Sequence, residues 1–90
     1  MPLYLVEGWF PEGLPAFLSN TQIDRIWTEY HETGVTWMQT YVSDDSVRTY
    51  CISEAPSPEA VRKGARRVGW PLQKINHVTI LQPHQYNSPP

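Results

Sequence analysis

Two stretches of helical periodicity, each closed by a glycine, interrupt a chain otherwise dense in β-forming residues. This alternation restricts the fold more than any other feature. In the first stretch Ile23, Ile26, Trp27 and Tyr30 fall at i, i+3, i+4 and i+7, one face of a helix. Thr21 is its expected cap, with Asp24 three residues on, and Gly34 is placed to end it in the left-handed conformation. The second stretch has stronger punctuation: Ser57 at the N-cap, Pro58 at the first helical position and Glu59 in the first turn. Val61, Ala65 and Val68 form its apolar stripe, and Gly69 stops it.

Around these helices four segments read as strands. Residues 3–10 are rich in β-formers and end at Pro11, which cannot donate to a ladder. Residues 11–20 read as a loop whose Leu14, Phe17 and Leu18 are apolar enough to pack back on the body. Residues 35–42 and 47–54 are two strands joined by Ser43-Asp44-Asp45-Ser46, short polar side chains that hydrogen-bond their own backbone in a turn. Residues 74–81 form the last strand. The resulting order, β-α-β-β-α-β, is that of an α+β ferredoxin-like fold: a four-stranded antiparallel sheet with both helices on one face. Ninety residues make one such domain, over 1–82, with a Pro-rich C-terminal tail at 83–90.

Composition narrows the function classes. Seven Lys and Arg against nine Asp and Glu give a net charge of −2, which supplies no field for nucleic acid or an anionic membrane. The segment Arg48-Thr49-Tyr50-Cys51-Ile52-Ser53 also lacks the Arg/Lys-Gly-aromatic pattern of RNA-binding versions of this topology. One cysteine excludes a disulfide framework and any CxxC metal or redox motif. No apolar run approaches the length of a membrane span, and Met1-Pro2-Leu3-Tyr4 does not read as a secretory signal, so a cytoplasmic protein is expected.

Strand alternation sorts side chains between the helix layer and the open face. A Glu beneath packed helices costs several kcal/mol unless paired, so Leu3, Leu5, Glu7 and Trp9 are expected on the open face. Cys51, with Thr49 and Val47, fits beneath a helix, which leaves Arg48, Tyr50, Ile52 and Glu54 open. Met38, Thr40 and Val42 are expected inward, and Trp37, Gln39 and Tyr41 outward. On the last strand Val78 and Ile80 suit the helix side, leaving His77, Thr79 and Leu81 open. That face exposes an apolar patch on the order of several hundred Å², more than a soluble monomer usually leaves bare. A homodimer that stacks two sheets, or covers an edge with a neighbour's tail, is the expected remedy.

Glu7, Glu54 and His77 combine carboxylate and imidazole, which suits a first-row metal or proton transfer. Cys51 adds a soft ligand. The competing readings are an ion pair of Arg48 with either Glu, a backbone hydrogen bond for His77, and plain packing for Cys51. Trp9, Trp37, Gln39, Tyr41, Arg48 and Tyr50 are expected to line a small-molecule pocket. His31 complements a helix C-terminus, His84 lies in the tail, and Arg62, Lys63, Arg66 and Arg67 make a basic helix face.

Pro2-Leu3-Tyr4-Leu5-Val6-Glu7, Ser43-Asp44-Asp45, Tyr50-Cys51-Ile52-Ser53-Glu54-Ala55-Pro56, Pro58-Glu59-Ala60-Val61-Arg62 and Gly69-Trp70-Pro71 together carry a likeness. The chain resembles, over about residues 2–81, a family of small bacterial proteins, largely of unknown function, that includes nickel-binding members. It departs at Gly8-Trp9, where a charged pair is common. The resemblance implies a dimeric ferredoxin-like fold and a divalent metal such as nickel. The expectation is therefore a homodimeric divalent-metal-binding protein. Its rivals are a dimeric α/β-barrel protein that holds a small molecule, with isomerase- or oxygenase-like chemistry on the open face, and a partner-binding module without chemistry.

Overall fold

The computed structural model describes residues 1–14 and 18–83, so Phe17, His84 and the remainder of the tail lie outside the described residues. The order is β1 (Leu3–Trp9), α1 (Asn20–Glu32), β2 (Thr36–Val42), β3 (Arg48–Glu54), α2 (Pro58–Val68) and β4 (Leu72–Val78). All pairings are antiparallel and the spatial order is β2-β3-β1-β4, the ferredoxin-like arrangement expected. No helix among the described residues is long and apolar enough to cross a membrane.

The helix ends follow from local chemistry. Ser57 caps α2 by accepting from the Ala60 N–H, and Gly69 (φ 73°) takes the left-handed stop. At α1 the cap is Ser19 rather than Thr21. Its hydroxyl accepts from the Gln22 N–H, while the Gln22 side chain accepts from the Ser19 N–H, a reciprocal capping box. Gly34 does turn left-handed (φ 88°), one residue after the cap Thr33. In the hairpin, Asp45 accepts from the Ser43 hydroxyl and from the Val47 N–H, which hold its carboxyl below the usual carboxylate range.

Tyr4, Val6, Cys51, Ala55, Ile26, Tyr30, Val35, Val61, Ala65 and Trp70 form the core between sheet and helices. Ile23 and Trp27, expected on the buried face of α1, lie toward its exposed side, and Trp27 stacks on His31 with ring centroids 5.0 Å apart. The helices meet where Gly64 receives the Tyr30 ring. A Cβ at Gly64 would stand 2.5 Å from Tyr30 Cδ1 and 3.0 Å from Thr33 Oγ1. Alanine is the better helix former by roughly 1 kcal/mol, but overpacking costs about 1–3 kcal/mol. Gly64→Ala is therefore expected to lower the urea midpoint with its slope unchanged; a rise in midpoint would show that the ring can yield freely.

Register settles which residues share a face. On the helix side the rows across the sheet are Val42–Thr49–Gly8–Leu72, Thr40–Cys51–Val6–Ile75 and Trp37–Ser53–Tyr4–His77. On the open side they are Tyr41–Tyr50–Glu7–Lys74, Gln39–Ile52–Leu5–Asn76 and Thr36–Glu54–Leu3–Val78, with Trp9 beside Arg48. Several expectations are corrected here. Trp37 points to the core, because Met38 is an extra residue in the β2–β3 ladder and reverses the alternation before it. Met38 itself is exposed rather than inward. His77 sits on the helix side and Val78 on the open side. The last strand runs 72–78 rather than 74–81, so Ile80 lies beyond it and cannot fix its parity.

Candidate functional site

The open face is built from the central strands β1 and β3, flanked by β2 and β4. Glu7 lies directly between Tyr50 and Lys74, and its Oε2 accepts from Asn76 Nδ2 at 3.3 Å. Glu54 lies between Thr36 and Leu3. Gln39 donates to the Tyr41 hydroxyl at 2.8 Å, tying together the outer edge of the same face. Of the six side chains expected to line a pocket, Trp9, Gln39, Tyr41, Arg48 and Tyr50 share this face, and Trp37 alone does not.

The four expected metal ligands are divided by the sheet. Glu7 and Glu54 are on the open side, while Cys51 and His77 are on the helix side. Glu54 pairs opposite Leu3, four residues from Glu7, which sets the two positions about 13 Å apart along the sheet at the usual strand rise. Among the described residues no three His, Cys, Asp or Glu side chains gather closely enough to hold a metal ion. Arg48 forms no ion pair with Glu7 or Glu54; the salt bridges among the described residues join Arg62 to Glu59 and Arg67 to Glu29 and Glu32.

Cys51 is engaged inside the core. Trp37 Nε1 donates to Thr40 Oγ1 at 2.7 Å, and Thr40 Oγ1 donates to Cys51 Sγ at 3.0 Å. Burial pushes the thiol above its ordinary range, against the Thr40 hydrogen bond, so the thiolate that binds metals is disfavoured. Burial, and secondly the nearby Cys51, likewise push the Tyr30 phenol well above its usual range. His77 remains exposed on the edge strand, its ring resting 5.4 Å from that of Tyr4. An uncovered edge lets an imidazole occupy the helix side without desolvation. The signals that sequence reasoning missed are the two bulges, at Met38 and at Gln73, and neither carries a local signature.

A family model described as "Nickel responsive protein SCO4226-like" matches residues 4–78. The chain belongs to that family. Among solved structures, the crystal structure of SCO4226 from Streptomyces coelicolor A3(2) is similar with a TM-score of 0.66 and 21% identity, covering 89% of this chain and 99% of that one. At that identity the likeness establishes the shared ferredoxin-like fold. No curated protein sequence matches the chain.

Proposed function

We propose that the chain is a small homodimeric protein that binds a divalent metal, nickel first, at the open sheet face. The observation that carries the reading is that Glu7 and Glu54 both lie on this face and neither forms an ion pair among the described residues, although Arg48 and Lys74 share it. Two carboxylates about 13 Å apart along one sheet cannot share one ion, so each completes a site only with donors that a second sheet brings across. Stacking two open faces does this and at the same time covers Leu3, Leu5, Trp9 and Ile52. Nickel comes from the family's name, because carboxylates alone suit harder cations equally well. Cys51 and His77, on the opposite side of the sheet, are not part of this site.

The test is thermal unfolding of untagged protein with nickel, manganese and zinc, alongside metal analysis of the protein as purified. Nickel at about a hundred times its Kd adds about 2.7 kcal/mol, a rise in Tm of roughly 10–20 °C for a domain this size. Glu7→Gln and Glu54→Gln, which keep shape and remove charge, are expected to abolish that rise while leaving the metal-free Tm within a few degrees. An unchanged Tm in nickel, or a full rise in both variants, overturns the site.

The row Tyr41–Tyr50–Glu7–Lys74 favours one second reading. Phenols, a carboxylate and an ammonium in line across a face shared by two chains would bind a small organic molecule and offer it an acid and a base. This is the dimeric α/β-barrel alternative, in which Glu7 moves a proton instead of holding a metal.

A further inference from the structure

On the other side of the sheet a groove of about 380 Å³ opens between α2 and the start of β4, bounded by Arg62, Ala65, Arg66, Trp70 and Leu72. Its floor is apolar: Ala65 and Trp70 are buried and Leu72 half-buried. Its rim is cationic, because Arg62 and Arg66 stand four residues apart on one helical face. We infer that this groove binds a small organic carboxylate with a flat apolar body.

Charge complementarity carries the inference. The chain as a whole is net −2, yet four of its seven basic residues are on α2. Arg67 is engaged by Glu32 at 3.3 Å and by Glu29 at 3.6 Å, across on α1. Arg62 meets Glu59 at 3.3 Å, but both side chains are largely exposed, where such a pair is worth little and is easily exchanged. Arg66 has no carboxylate within 4.0 Å among the described residues, and no acidic side chain bounds the groove. A guanidinium fork matches a carboxylate through two parallel hydrogen bonds. An inorganic anion would leave the floor of Ala65, Trp70 and Leu72 unused, and an uncharged hydrocarbon would leave the guanidinium unpaired. The volume falls in the range of small-molecule sites. A metal cation is disfavoured by the same charges, so this site is separate from the one proposed on the open face and its outcome is independent of nickel binding.

The experiment is an NMR titration of the full chain with phenylacetate, following the indole N–H of Trp70 and the guanidinium N–H groups. Acetate and phenylethanol serve as probes lacking the ring and the charge respectively. Saturable shifts at Trp70 and Arg66 are expected, with Kd raised roughly tenfold in Arg66→Gln, the loss of a hydrogen bond to a charged group. Acetate and phenylethanol are each expected to bind roughly tenfold more weakly than phenylacetate. Arg66 is exposed, and an otherwise unchanged spectrum of Arg66→Gln confirms that it folds. Non-saturating shifts, acetate binding as tightly as phenylacetate, or an unaltered Kd in Arg66→Gln overturn the assignment.

Discussion

Trp70→Ala is expected to remove about 3–5 kcal/mol of folding free energy, much of the margin of roughly 5–15 kcal/mol on which a small domain stands. The residue follows the left-handed stop of α2, where its N–H donates to the Ala65 carbonyl at 2.9 Å and carries the chain down toward the sheet. Its ring meets Phe10 edge-on at 5.1 Å and Trp37 at 6.3 Å, and only 8% of the residue is exposed. The neighbouring strand is adapted to it: a Cβ at Gly8 would lie 2.8 Å from Trp70 Nε1 and 2.5 Å from Thr49 Oγ1. Removing the indole leaves a cavity lined by groups that rigid strands hold apart, so collapse cannot recover the loss. Urea unfolding should show the midpoint falling with little change in slope, and Tm should fall by roughly 15–30 °C. Trp70→Phe, which keeps a ring against Phe10 and Trp37, should lose markedly less. A Trp70→Ala protein within about 1 kcal/mol of the parent, the size of an ordinary substitution, would mean that this junction is not where the domain is held.

Helix identities were legible because capping chemistry is local. Ser57-Pro58-Glu59 and Gly69 specify α2 by steric and hydrogen-bond rules that need no tertiary partner. The α1 boundary was also legible in principle: Ser19 and Gln22 have the capping-box spacing, but Thr21 and Asp24 offer a rival reading two residues further on. The open face of β1 and β3 was correctly read because a single energetic fact, the cost of a carboxylate beneath helices, fixes the parity of Glu7, and alternation carries it along an uninterrupted pair of strands.

Parity failed where a residue was inserted. Bulges at Met38 and Gln73 change the face of everything on one side of them, and nothing in the adjoining side chains announces them. The bulge at Met38 moves Trp37 to the helix side, whereas His77 lies there because β4 ends at Val78 and Ile80 does not set its parity; with His77 went the mixed carboxylate–imidazole trio. His77 shows a further limit. Burial arguments place polar residues outward only where the inner layer is covered, and an edge strand leaves its inner side wet. Metal chemistry between chains is less legible still, because one sequence specifies the donors and not the symmetry that assembles them.

Ile52→Asp is expected to dissociate the proposed dimer while leaving the single chain folded. Ile52 stands at the centre of the open face, between Gln39 and Leu5 in register. In an isolated chain Ile52 is half-buried on an uncovered face, so a carboxylate there still reaches water, and the cost in strand propensity and lost side-chain contacts is about 1–2 kcal/mol. Between two stacked sheets the same carboxylate is desolvated without a partner, at several kcal/mol, and a two-fold axis places one on each chain. A penalty of roughly 4 kcal/mol weakens association about a thousandfold, which converts a micromolar dimer into a monomer at any ordinary working concentration. Light scattering on a sizing column should find the parent at twice the 10.4 kDa chain mass and Ile52→Asp at that mass, with Ile52→Val still dimeric. Nickel stabilisation should disappear together with the dimer, because donors about 13 Å apart on one sheet cannot close on an ion alone. A dimeric Ile52→Asp would place the contact elsewhere on the chain, and a monomeric variant that still gains stability from nickel would place the metal on one protomer.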